Sequence, residues 1–164
     1  METEDQQSIK ARMKVIDDAL DAYEKSIGVP VINSAIDEDN ITKCISMPQS
    51  YREKMTIEEC AEMAVECNIL AYHMMRAFNR EKARHTWAHE AIQSIVSSTC
   101  HQFSGTWQRQ EKQAIAQDSA AAKLEKIKNY AQQRMDRINY LPNQLKNLAD
   151  SFNNLQRAKA TKNG

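Results

Sequence analysis

Along much of this chain apolar residues return every three or four positions, the spacing that lines one face of an α-helix. The longest run is Leu124, Ile127, Ala131, Arg134, Ile138, Leu141, Leu145, Leu148, Phe152 and Leu155, with Arg134 its one polar member. A second runs Ile9, Met13, Ile16, Leu20, Tyr23, Ile27. A third runs from Cys60 through Met63, Cys67, Leu70, Met74 and Ala77 to Ala88, Ala91 and Ile95, interrupted by Glu81 and Arg84. Stripes this narrow are covered by a partner helix. The pattern predicts an all-α fold: an elongated bundle of long helices with heptad, coiled-coil-like stripes, assembling as a homo-oligomer. It leaves open whether one chain folds back on itself or two chains meet, and whether the helices pair parallel or antiparallel.

Breaks in the pattern set the elements. The first helix runs from about Glu4 to Ser26 and is stopped by Gly28 and Pro30. Residues 28–55 form an irregular connector, with a short extended piece at Val29–Asn33, an acidic turn at Asp37–Asn40 and a break at Pro48. Thr56-Ile57-Glu58-Glu59 is a capping box that opens the next helix. No Gly or Pro follows until Gly105, so that helix spans about 45 residues, or about 67 Å. Phe103-Ser104-Gly105-Thr106-Trp107 ends it. A shorter helix covers Trp107 to Gln117, and Asp118 or Ser119 caps another that runs from Ala120 toward Tyr140. Pro142 must kink or restart the helix there, and the heptad phase survives across it, which favours a kink over a domain break. The tail from Ala158 is basic and reads as frayed. Three segments result: 1–27, an amphipathic helix; 28–55, the connector; and 56–160, the long-helix bundle.

Composition agrees. Three glycines, three prolines and ten aromatics are few, and helix formers fill the remainder. No apolar run approaches membrane-spanning length, and the polar, acidic start METEDQQ lacks the features of a leader peptide. The expected compartment is the cytoplasm, that of the host if the chain is viral. Charge adds something new. Residues 1–66 carry 15 acidic and 7 basic side chains, a net of −8, whereas residues 67–164 carry the reverse. Such a basic half suits a polyanion, while the acidic half can repel it or neutralise the basic half of the same or a neighbouring subunit.

Chemistry-bearing constellations are sparse. Cys44, Cys60, Cys67 and Cys100 lack paired spacing and read as reduced core residues. His85 and His89 share a helical face, but no third ligand has metal-site spacing. No phosphate loop, nucleophile elbow or convincing carboxylate pair is present, so the chain reads as a non-enzyme with no metal and no cofactor. The informative segment is Arg76 to Trp87. Arg76, Arg80 and Arg84 are successive four-residue steps, a ridge of cations about 6 Å apart along the helix axis. That is close to the spacing of phosphates on an extended single strand. Lys82 adds a cation, and Trp87 an aromatic able to stack on an unpaired base. The plainer reading is a solvated basic face with Phe78 and Trp87 turned inward. Arg109, Lys112, Lys123, Lys126 and Lys128, with Trp107 close by, extend the same character.

The basic helix from Arg76 to Trp87, the Phe103-Ser104-Gly105 end and the heptad helix that follows resemble phage recombination-mediator proteins of the UvsY type. The likeness lies in organisation over about residues 60–155. It implies a small, helical, oligomeric protein that binds single-stranded DNA and helps load a recombinase. The aromatic pair that follows the basic motif in that family has no counterpart here, so only Arg80, Lys82 and Arg84 carry over as phosphate contacts. The expected function is a viral accessory protein for recombination or replication that binds single-stranded nucleic acid. Its candidate contacts are Arg76, Arg80, Lys82, Arg84, Trp87, Trp107, Arg109 and Lys112, and a recombinase or replication protein is its expected partner. The alternative is a helical scaffold or inhibitor that presents a helix face to a protein and binds no nucleic acid.

Overall fold

The computed structural model describes residues 4–28 and 46–163, and every regular element among them is helical. The elements are α1 (Glu4–Ser26), α2 (Gln49–Arg52), α3 (Ile57–Val96), a 3₁₀ turn (Cys100–Gln102), α4 (Trp107–Gln117), α5 (Ser119–Ile138) and α6 (Leu141–Asn163). The expected extended piece, the acidic turn and Cys44 lie outside the described residues. No described helix is long and apolar enough to cross a membrane.

Local chemistry places most helix ends. Gly28 adopts φ +74° and its amide donates to the Lys25 carbonyl, ending α1 in the left-handed conformation that glycine tolerates best. The capping box at α3 closes as its sequence requires. The Thr56 amide donates to Glu59 Oε2 at 2.7 Å, and the Glu59 amide to Thr56 Oγ1 at 3.1 Å. Asp118 is the C-cap of α4, and its carboxylate also accepts from the amides of Ala120 and Ala121, both at 2.8 Å, to open α5.

Three ends differ from expectation. First, α3 stops at Val96, short of Phe103. The hydroxyls of Ser97 and Ser98 turn back onto the carbonyls of Ser94 and Ile95, offering the backbone an alternative to the next helical turn. Second, Pro142 does not bend a continuous helix. α5 ends at Ile138, and α6 starts afresh at Leu141 with Pro142 buried in its first turn. A missing amide costs nothing there. Third, the basic tail is helical as far as Asn163. Lys159 is tied down, donating to the carbonyls of Glu53 and Met55, each at 2.6 Å.

The chain forms two compact units, and α3 contributes to both. The first comprises residues 1–30 and 78–137, the second residues 31–77 and 138–164. In the first, Ala88, Ile92, Val96 and Cys100 meet Ala114, Ile115, Ala121, Leu124 and Ile127. In the second, Met55, just before α3, and Cys60, Ala64 and Cys67 of α3 meet Ala149 and Phe152 of α6. Alanine and cysteine make up the α3 side of the second core, so its partner helix can approach closely. Full burial of Phe152 contributes about 2–3 kcal/mol. The long stripe is thus covered, in both units, by α3 of its own chain. Cys60, Cys67 and Cys100 are buried and free of disulfides.

Candidate nucleic-acid interface

Within the first unit, the second half of α3 lies between α1 and α5. Asp17 and Asp21 are one turn apart on α1, and Arg80 and Arg84 are one turn apart on α3. Equal spacing on two antiparallel helices lets both pairs close at once. Arg84 Nη2 donates to Asp17 Oδ2 at 2.6 Å, and Arg80 Nη2 donates to Asp21 Oδ1. From the other side, α5 runs antiparallel to α3 and brings Arg134 Nη2 to 2.8 Å from Glu81 Oε2 as an ion pair. Arg84 Nη1 also donates to Glu81 Oε1 at 2.6 Å.

These contacts join three arginines and three carboxylates into a network of zero net charge. Its centre is dry: Glu81 is only 8% exposed, and the side chains of Arg84 and Asp17 are 19% and 23% exposed. Its Arg80–Asp21 edge is wetter, with Asp21 half exposed, so that pair contributes little to stability. The centre carries unmet demand as well. Asp17 Oδ1 and Arg84 Nε are buried without a hydrogen-bond partner, an arrangement that costs stability wherever polar atoms leave water.

The remaining candidate residues are spread out. Lys82 is exposed beside the network, whereas Trp87 is half-buried and packs on the hydrophobic core of its unit. Arg76 belongs to the second unit. On α4, Arg109 and Lys112 are exposed, and the Trp107 indole is 54% exposed. Gly105, at φ +118°, leads into that helix. A Cβ at Gly105 would stand 3.1 Å from Arg109 Cδ, so glycine there makes room for the arginine stem. Burial, then the nearby Lys128 and His89, hold the His85 imidazole below its usual range, favouring the neutral ring. Among the described residues, no group of three His, Cys, Asp or Glu side chains is placed to hold a metal ion.

Folding redistributes the charge that the sequence keeps apart. In the first unit, residues 78–137 hold ten Lys and Arg against six Asp and Glu, a net of +4, and residues 1–30 bring a net of −3. In the second, residues 31–77 carry −4 and residues 138–164 carry +3. Each unit combines an acidic stretch with a basic one. The cations stand out in the sequence, whereas Asp17, Asp21 and Glu81 do not. The signal for the aspartates was present, since two carboxylates four apart match two guanidiniums four apart.

Compared with known proteins, the chain matches no family model, no curated protein and no solved structure.

Proposed function

We propose that this protein is a non-enzymatic accessory protein that binds single-stranded nucleic acid, in the manner of the recombination mediators that its basic helix resembles. The observation that carries the reading is Trp107, a large indole left 54% exposed on a helix whose Arg109 and Lys112 are also exposed. An exposed indole beside cations suits stacking on an unpaired base while the cations hold phosphates. Lys82, Arg80 and Arg84 supply further cations, and guanidiniums that already seat carboxylate oxygens are equipped to seat phosphate oxygens. Assembly into homo-oligomers would multiply such contacts along one strand. Recombination or replication of viral DNA, with a recombinase or replication protein as partner, is the setting this chemistry fits.

The test is fluorescence anisotropy of a labelled oligothymidine, titrated at about 50 mM and about 200 mM salt. Affinity is expected to fall steeply between the two, and to weaken when Trp107 becomes Ala or when Arg109 and Lys112 do. Absence of binding at low salt, by the chain and by a variant with Asp17 and Asp21 neutralised alike, overturns the proposal.

A second reading has its own observation: the ligand held on Arg80 and Arg84 is a helix bearing carboxylates. A helical scaffold that recognises an acidic helix of a partner protein, with no nucleic acid involved, uses the same side chains. Failure of the oligonucleotide titration would favour it.

A further inference from the structure

We infer that α1 is an acidic strap that occupies the phosphate-binding ridge and competes with nucleic acid for it. The inference rests on the nucleic-acid reading above and assigns that site its regulation. Asp17 and Asp21 present two anionic groups one helical turn apart. That is the repeat of the arginines they meet and close to the spacing of phosphates on an extended strand. Their partners, Arg84 and Arg80, are the ridge residues of the first unit. α1 therefore stands where a strand would lie and supplies the same charge at the same repeat.

The remainder of α1 is suited to leaving. None of its described side chains is fully buried. Met13, Ile16 and Leu20 are half-covered, and Val15, Tyr23 and Ile27 are more than half exposed. Neither hydrophobic core includes an α1 residue among those described, so release leaves both cores intact. The strap's hold is electrostatic and imperfect, because Asp17 Oδ1 and Arg84 Nε stay unsatisfied in the closed arrangement. A phosphodiester, with two free oxygens, can accept from that Nε–H and from an Nη group together. Tethering gives α1 an effective concentration on the order of millimolar. A strand must outcompete it, and removing the two carboxylates removes the competitor.

The experiment compares oligothymidine affinity, by anisotropy at about 50 mM salt, for three proteins: the unaltered chain, D17N/D21N, and D18N/D150N. The last neutralises two exposed carboxylates outside the network, so it changes net charge equally. The strap predicts that D17N/D21N binds at least tenfold tighter than the unaltered chain and that D18N/D150N shifts less than threefold. Equal affinity of D17N/D21N and the unaltered chain overturns the strap and leaves the nucleic-acid reading standing. Equal tightening in both variants overturns it in favour of long-range charge. Binding by none of the three removes the reading and the strap together. Hydrogen exchange of the unaltered chain is a second measurement, independent of how the variants fold. Amides of α1 should exchange faster in the presence of saturating oligonucleotide, and unchanged or slower exchange overturns the strap.

Discussion

Arg84 on α3 donates to Asp17 on α1 at 2.6 Å across 67 positions of sequence, and its other Nη group donates to the buried Glu81 one turn back. One guanidinium thereby links the acidic N-terminal helix to the charged centre of the first unit. Removing it leaves Glu81 its ion pair with Arg134 but takes from Asp17 the guanidinium it accepts from. Breaking a buried pair from one side costs about 3–5 kcal/mol, and the partial exposure of this one reduces the loss. Arg84→Ala is expected to destabilise the chain by about 2 kcal/mol in a urea titration. Asp17→Asn, which leaves Glu81 both of its arginines, should cost less than about 1 kcal/mol. A larger loss for Asp17→Asn than for Arg84→Ala would contradict this ranking.

The two cores share α3 but no side chains. Phe152 is 2% exposed in the second core, so Phe152→Ala should cost about 3–5 kcal/mol. In hydrogen-exchange mass spectrometry the protection lost should concentrate in α6 and in the Ile57–Cys67 part of α3, with less change in α5. Uniform loss across α3, α5 and α6 would mean that the two cores unfold together.

His85 makes stability depend on pH in a defined direction. Burial first, then Lys128 and His89, lower its folded-state pKa from the usual 6.5. Between the lowered value and 6.5 the unfolded chain binds more protons than the folded one, so stability rises with pH across that window. The contribution is complete above 6.5 and is lost as pH falls toward the folded-state value. Replacing His85 with Gln should flatten this part of the stability profile, measured as thermal midpoints from pH 7.5 down to pH 5. An unchanged slope would assign it to other groups.

Cys60 is fully buried, and that burial raises its thiol above the usual 9.0, against a smaller opposing pull from Lys159. The thiolate is the reactive species. Native protein at pH 8 should therefore leave Cys60 unmodified by iodoacetamide, and denatured protein should be alkylated there within minutes. Mass spectrometry of the digested chain reads the difference. Rapid native labelling of Cys60 would mean that the α3–α6 contact opens readily.

Signals carried by neighbouring residues are legible in the sequence. Thr56 and Glu59 close their capping box, Gly28 ends α1, and Asp118 opens α5, because each works through hydrogen bonds spanning a few positions. The apolar stripe correctly identified Leu124, Ile127, Leu145 and Phe152 as core. It misled at Pro142, where an unbroken heptad phase hides a restart, because periodicity records which face is apolar and not whether the backbone continues. Arg134, the one polar member of the long stripe, faces a carboxylate. That carboxylate is Glu81, from the basic part of the chain and not the acidic one.

The sequence by itself determined that the chain is helical, where most of its helices start, and which face of each helix is apolar. These depend on hydrogen bonds and periodicities within a few turns. Only the tertiary structure decided the pairing: that α3 covers both halves of the long stripe, that Lys159 caps carbonyls near Met55, and that the candidate arginines hold α1 carboxylates. A charge attracts any opposite charge at similar range, so the sequence marks Arg80 and Arg84 as anion-binding without naming the anion. The packing of α1 against α3 brought Asp21 and Asp17 to the two guanidiniums, because carboxylates one turn apart on one face reach both together.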